Sequence, residues 1–134
     1  MTDSTREART VSVTIGRPPK TVYDYLADPA RIPEWSFVDS IEPAGDGRWT
    51  AAIGDQTVTM VFAPPNGFGV LDQDVELSPG QWLHVPMRVV PNGSGSEVVF
   101  VSFRQSQYTD DDYDADIATV REDLARVKAI LEAS

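Results

Sequence analysis

The sequence predicts an α+β domain in which a curved antiparallel sheet packs against one long C-terminal helix. Turn-forming residues recur at intervals of about ten between positions 37 and 105, which is typical of consecutive antiparallel strands rather than alternating strands and helices. Between positions 113 and 131 apolar side chains instead recur at spacings of three and four, the period of an amphipathic helix. The length of 134 residues is that of one domain, so we expect a single domain over residues 1–134.

The first elements are a strand and two short helices. Apolar and polar residues alternate from position 11 to position 15, the two-residue period of a half-buried strand. Pro18 and Pro19 end this strand, and a proline suits the first turn of a helix. Asp28 and Pro29 repeat that signal as a cap followed by a proline. We therefore expect two short helices between the first strand and the second.

Two tight turns predict which side chains of the following strands face inward, because a short loop fixes the strand register. The turn at residues 78–80 predicts the facing pairs Leu77 with Gln81, Val75 with Leu83, Gln73 with Val85 and Leu71 with Met87. The turn at residues 54–55 puts on one face Trp49, Ala51, Ile53, Val58, Met60 and Phe62. With longer loops in between, the same alternation extends this face to Phe37, Asp39, Ile41, Val99, Val101 and Phe103.

This inward face is apolar, with Gln73 and Asp39 as its polar members and Gln56 and Gln105 as further candidates. Apolar and aromatic side chains on such a face pack as a solid core in most proteins. A strongly curved sheet with a single covering helix can also leave its interior unfilled, and the same side chains then line a ligand cavity. The residues alone leave both possibilities open.

The last segment is the most regular element. Thr109 is a good N-cap, and Asp112 follows three residues later, where a capping box more often has Glu or Gln. The apolar stripe consists of Tyr113, Ile117, Val120, Leu124, Val127 and Leu131. Aspartates crowd positions 110–116, which suits the positive end of the helix dipole. The alternative, a calcium site, lacks the glycine and the terminal Glu of an EF-hand loop, so we expect no metal site.

Composition excludes several classes of function. Eleven basic and 21 acidic residues give a net charge of −10, which repels phosphate backbones and anionic membranes, so we expect no nucleic-acid partner. The absence of cysteine excludes disulfides and thiolate chemistry, and a single histidine argues against a histidine-based metal site. Residues 1–8 lack the apolar segment of a signal peptide, and no stretch is apolar enough to span a membrane. We expect a cytoplasmic protein.

Several motifs lie in a familiar order along nearly the whole chain. They are the strand at residues 11–15, the Pro18-Pro19 pair, the segments 22–29, 85–93 and 98–101, the motif Ile32-Pro33-Glu34-Trp35, and the closing helix. In this order they resemble the START-like helix-grip (SRPBCC) superfamily and its polyketide cyclase/dehydrase branch. The motifs are moderately specific for the fold and poorly specific for the activity.

The resemblance implies a seven-stranded antiparallel sheet gripping a long C-terminal helix, with a cavity between them for lipids, polyketides or other apolar molecules. It favours the cavity over the solid core. We therefore expect a monomer or homodimer that binds a small hydrophobic ligand and needs no cofactor. The expected ligand contacts are Trp35, Phe37, Trp49, Met60, Phe62, Gln73, Val85, Met87, Phe103 and Tyr108.

Two other functions fit the same resemblance: a cyclase or aromatase that works by confinement and acid–base chemistry, and a co-chaperone-like interaction module with a filled core. For an enzyme, Asp39 is the first candidate, since a carboxylate turned inward among apolar side chains suits proton transfer. The competing interpretation is an exposed aspartate at a strand edge. His84 and Arg88 are predicted to face outward, with His84 across from Asp74, but a one-residue slip in register would bring both into the cavity.

Overall fold

Eight strands and three α-helices follow one another in the computed structural model, which describes residues 5–133. Residues 1–4 and 134, which the single-domain and signal-peptide predictions include, lie outside the described residues. A 3₁₀ turn at Pro29–Arg31 precedes the second helix. The elements are β1 (Ala8–Ile15), α1 (Pro19–Leu26), α2 (Ile32–Trp35), β2 (Ser40–Gly45), β3 (Arg48–Ile53), β4 (Gln56–Phe62), β5 (Gln73–Ser78), β6 (Gln81–Val85), β7 (Met87–Asn92), β8 (Gly95–Phe103) and α3 (Asp110–Glu132).

The strands form two antiparallel sheets, one in the order β1-β8-β7 and one in the order β2-β3-β4-β5-β6. This confirms the predicted α+β class and the two short helices between the first two strands, but it differs from a single seven-stranded sheet. The cause is Pro86, which lies between β6 and β7 and has no N–H to donate to a strand ladder. If β6 and β7 are counted as one interrupted strand, the number of strands is the seven expected.

Register within the larger sheet follows the turns closely. Gln73 faces Val85 and Val75 faces Leu83, as predicted, and the Leu71 N–H donates to the Met87 carbonyl at 2.9 Å. The pairing predicted next to the turn is wrong, because a register shift after Glu76 sets Ser78 rather than Leu77 opposite Gln81. In the hairpin of β3 and β4 the predicted face is confirmed by the facing pairs Trp49 with Met60 and Ala51 with Val58.

The inward face predicted for β8 is wrong at Val99 and Val101. Asn92 pairs with Gly95 across a tight turn, which sets Met87 opposite Phe100 and Val89 opposite Val98. Val98 is therefore fully buried, and Val99 and Val101 lie on the other face of the strand. The turn between β7 and β8 is shorter than predicted, so the alternation of side chains at Val99 and Val101 is offset by one residue.

The C-terminal helix α3 is confirmed together with its cap. The Thr109 hydroxyl accepts from the Asp112 N–H at 3.1 Å, and the Asp112 carboxylate accepts from the Thr109 N–H at 3.0 Å. Asp112 thus completes a capping box in place of the commoner Glu or Gln. All six residues of the predicted apolar stripe are buried: Tyr113, Ile117, Val120, Leu124, Val127 and Leu131. No helix within the described part of the chain is long and apolar enough to cross a membrane.

The sheet edge at β2 is irregular. β2 is the outermost strand of the larger sheet and pairs only with β3. Its register shifts between Pro43 and Gly45, and Glu42, Pro43 and Ala44 are exposed. The apolar interior therefore lies away from this edge, under the central strands and α3.

Candidate functional site

A cavity of about 490 Å³ lies between the larger sheet, β8 and α3. Side chains from α2, from the sheet strands and from α3 all contribute to its wall. Its apolar members include Ile32, Trp35, Val58, Met60, Val75, Leu83, Val85, Phe100, Phe103, Val120 and Leu124. An apolar wall of this kind, interrupted by a few polar groups, is typical of small-molecule sites.

Most of the predicted ligand contacts share this main cavity, namely Trp35, Phe37, Met60, Gln73, Val85, Phe103 and Tyr108. Trp49, Phe62 and Met87 line a second cavity of about 240 Å³, which lies beside α1. Ile32, Trp35 and Gln73 belong to both walls. These three side chains separate the two cavities. The alternation of side chains along the strands cannot predict this division, because the division arises from the packing of α2 across the sheet.

The structure does not place Asp39 in either cavity. Its side chain is exposed, and its carboxylate accepts a hydrogen bond from the Gly54 N–H at 2.7 Å. The prediction of an inward carboxylate is wrong because residues 36–39 are not a strand, and Val38 takes the buried position. Phe37 is 56% exposed and contributes to the rim of the main cavity rather than to its interior.

His84 lies on the outer face of the larger sheet, and Arg88 lies on the outer face of the smaller sheet. The His84 Nδ1 is 2.7 Å from the Asp74 carboxylate, the pair predicted from the register. Arg88 forms an ion pair with Asp72, which also lies 3.8 Å from the His84 Nε2. His84 touches the wall of the main cavity at its edge, but both residues are engaged by carboxylates on the outside. The register slip that would turn them inward does not occur.

The most unusual ionisable group in the main cavity is Asp123, on α3. The residue is 7% exposed, and burial raises the pKa of its carboxyl to about 6, with Glu122 adding to the increase. The Arg126 guanidinium, 3.3 Å away, and the Phe37 N–H oppose that rise in pKa. A carboxyl with such a pKa changes its charge close to neutral pH.

A second polar group lies where β8 meets the start of α3. The Ser102 hydroxyl donates to the Asp116 carboxylate at 2.8 Å, and the Gln105 amide donates to the Tyr108 hydroxyl at 3.0 Å. Burial, together with the nearby Asp116, raises the pKa of Tyr108. All four side chains line the main cavity, so its wall offers acceptors and uncharged donors.

Trp35 forms part of the wall between the two cavities. It is 5% exposed, and Arg126 fixes its backbone by donating to the Trp35 carbonyl oxygen at 2.9 Å. Its indole Nε1 is buried, and no residue within 5–133 accepts a hydrogen bond from it. The segment that carries Trp35 is thus held to α3 through its main chain, and the ring itself is held by packing.

Sequence reasoning missed Asp116, Thr119 and Asp123, all of which line the main cavity. The signal was present, because these three residues follow one another at spacings of three and four, directly beside the apolar stripe of α3. A polar residue on the side of a helix that carries the apolar stripe faces the interior of the protein.

Comparisons with known proteins agree with this architecture. The family model described as polyketide cyclase/dehydrase and lipid transport matches residues 8–132. A comparison with curated proteins gives no significant match.

Three solved structures illustrate the likeness in fold. A START superfamily protein from Mycobacterium smegmatis has a TM-score of 0.73 at 9% identity, over 94% of this chain and 97% of that one. XoxI from Bacillus cereus has a TM-score of 0.74 at 14% identity, over 92% of this chain and 94% of that one. DynU16, a protein of the dynemicin biosynthetic locus, has a TM-score of 0.70 at 16% identity, over 93% of this chain but 47% of that one.

At such identities the solved structures establish the fold and leave the activity open. They confirm the START-like helix-grip fold that the order of strands and helices predicted. The family match spans nearly every residue from β1 to the end of α3. The chain therefore belongs to the polyketide cyclase/dehydrase and lipid transport family.

Proposed function

We propose that this protein binds a small hydrophobic ligand, such as a lipid, a polyketide or another apolar metabolite, in the main cavity between sheet and α3. The observation that carries the proposal is the cavity of about 490 Å³ with its largely apolar wall. Burial of apolar ligand surface there contributes about 25 cal/mol per Å². A cavity of this size disfavours the interaction module with a filled core. The acidic, cysteine-free composition of the protein is compatible with the cytoplasm, where we propose that the protein acts.

Native mass spectrometry of protein purified without detergent tests the proposal. We expect an added mass that disappears on denaturation, and the same spectra distinguish a monomer from a homodimer. A ligand-free mass that persists after incubation with fatty acids, sterols and aromatic polyketides would contradict ligand binding.

A pair of variants then locates the site. Val75 lies in the cavity wall between Met60 and Leu83, so Val75→Phe fills the cavity from the centre of the sheet. Thr57 is exposed on the same sheet, so Thr57→Phe adds the same ring outside the cavity. We expect the first variant to lose the bound mass and the second to keep it. Equal retention by both variants would place the ligand elsewhere.

An enzyme of the cyclase type is the second candidate, favoured by the Asp123 carboxyl in the cavity wall. A group with a pKa of about 6 is suited to proton transfer near neutral pH. The rate at which the acidic C–H protons of ethyl benzoylacetate exchange for deuterium in D₂O, monitored by NMR, tests this chemistry. We expect faster exchange with the wild type than with Asp123→Asn. Equal exchange rates in the two proteins would contradict a catalytic role for Asp123.

A further inference from the structure

We propose that the polar group of the ligand is a basic amine, bound as an organic ammonium ion in the main cavity between Asp123 and an aromatic wall. This inference rests on the proposed ligand binding and adds the charge of the ligand. Three properties of the cavity wall support it: its carboxylates, the absence of lysine and arginine from the described residues that line it, and its aromatic rings.

The charge of the wall is negative. Among the residues that the structure describes, no lysine or arginine lines the main cavity, whereas Asp116 and Asp123 both do. Asp116 accepts from the Ser102 hydroxyl, a donor without charge. His84, at the edge of the wall, is paired with Asp74 on the outside.

The charge of Asp123 is only partly compensated. Arg126 is the cation beside it, but the Nη1 atom of Arg126 lies 3.3 Å from the Asp123 carboxylate and 2.9 Å from the Trp35 carbonyl oxygen. The guanidinium is therefore shared with the main chain, and its side chain is also 46% exposed to solvent. An additional cation inside the cavity would meet a carboxylate whose side chain is 10% exposed, where charge interactions are screened less than at the surface.

Aromatic rings also contribute to the wall. The rings that line the cavity belong to Trp35, Phe37, Phe100, Phe103 and Tyr108. The faces of such rings carry partial negative charge and attract ammonium groups, most strongly where water is excluded. Carboxylates and aromatic faces together suit an organic cation with an apolar body. A fatty-acid carboxylate, by contrast, would be repelled by Asp116 and Asp123 and would find no lysine or arginine among the described residues of the wall.

Three probes with the same chain test the proposal: n-decylamine, n-decanol and sodium decanoate. Their dissociation constants for the wild-type protein are measured at neutral pH by NMR titration. We expect the amine to bind about tenfold more tightly than the alcohol, and the carboxylate to bind most weakly. Binding of the amine no tighter than the alcohol would overturn the proposal while leaving hydrophobic binding intact. Failure of all three probes to bind would count against the proposed function itself.

A matched pair of variants separates the cavity carboxylate from the net charge of the protein. Asp123→Asn and Glu122→Gln remove the same charge from adjacent positions of α3, and Glu122 is exposed and outside the cavity wall. We expect Asp123→Asn to bind the amine no more tightly than it binds the alcohol, and a circular dichroism spectrum like that of the wild type shows that the variant is folded. Glu122→Gln should keep the preference. If both variants lost the preference for the amine equally, amine binding would depend on the net charge of the protein, and the proposal would fail.

Discussion

The Nη1 atom of Arg126 donates a hydrogen bond to the carbonyl oxygen of Trp35 across 2.9 Å, and it lies 3.3 Å from the carboxylate of Asp123. One side chain of α3 therefore holds the main chain of α2 and compensates a carboxylate in the cavity wall. Residues 32–38, which contribute to that wall, are anchored to α3 in part through this single guanidinium.

Arg126→Met should loosen residues 32–38. The Trp35 carbonyl oxygen loses its charged donor, and Asp123 loses the cation that lowers its pKa, so the pKa of Asp123 should rise above its value of about 6. We expect faster amide hydrogen exchange across residues 32–38 and a loss of about 1 kcal/mol in the free energy of unfolding. Arg121→Met, at an exposed position of the same helix, is the control. Identical exchange in the two variants would show that Arg126 does not hold the segment.

Asp123→Asn should remove a pH dependence of stability. Because the pKa of the native carboxyl is raised to about 6 from 3.8, the folded state binds the proton more tightly than the unfolded state does. The stabilising contribution of this proton is complete below about pH 4 and is lost as the pH rises through about 6. The free energy of unfolding of Asp123→Asn, relative to that of the wild type, should therefore increase by about 2 kcal/mol from pH 4 to pH 7. Urea unfolding at several pH values measures this, and a difference independent of pH would refute it.

Gly69→Ala should destabilise the protein strongly. Gly69 has a φ of +73°, and an added Cβ would lie 2.2 Å from the Val89 carbonyl oxygen in β7. The same segment is fixed because the Gly69 carbonyl accepts from the Val89 N–H at 2.9 Å. We expect a loss of about 3 kcal/mol in the free energy of unfolding. Gly67→Ala, in the same loop with open space around its Cα, should stay close to the wild type, and equal losses would contradict the steric argument.

Tyr113→Phe should cost more stability than Tyr25→Phe. The Tyr113 hydroxyl is buried and donates to the Ser102 carbonyl oxygen, which is left without this donor in the variant. The Tyr25 hydroxyl donates instead to the exposed Glu34 carboxylate, which water can solvate after the substitution. We expect losses of about 1–2 kcal/mol for the first variant and under about 1 kcal/mol for the second, measured by urea unfolding. The reverse order would show that the buried hydrogen bond contributes little.

Much of this fold could be predicted because local rules determine it. Thr109 and the apolar stripe defined α3, and the tight turns fixed the pairing of Val75 with Leu83 and of Trp49 with Met60. Where the chain leaves regular structure, alternation gave the wrong face. Asp39 lies in the irregular segment before β2, and Val99 follows a turn that is shorter than predicted.

The site could be predicted less completely than the fold. The strand residues of the cavity wall follow from register, but the division into two cavities depends on how Trp35 of α2 packs across the sheet. The pKa of Asp123 likewise depends on burial that only the assembled fold creates. A helix pattern shows which positions face inward, and it does not show which neighbouring charges compensate a carboxylate placed there.

The irregular edge at β2 has a consequence for behaviour at high protein concentration. A regular outer strand offers unpaired N–H and C=O groups on which the strand of another molecule can assemble. In β2 that row is interrupted by Pro43, which has no N–H, and by the register shift that follows it, while Glu42 adds a charge to the exposed rim. Pairing of a second molecule's strand along this border of the sheet is therefore disfavoured.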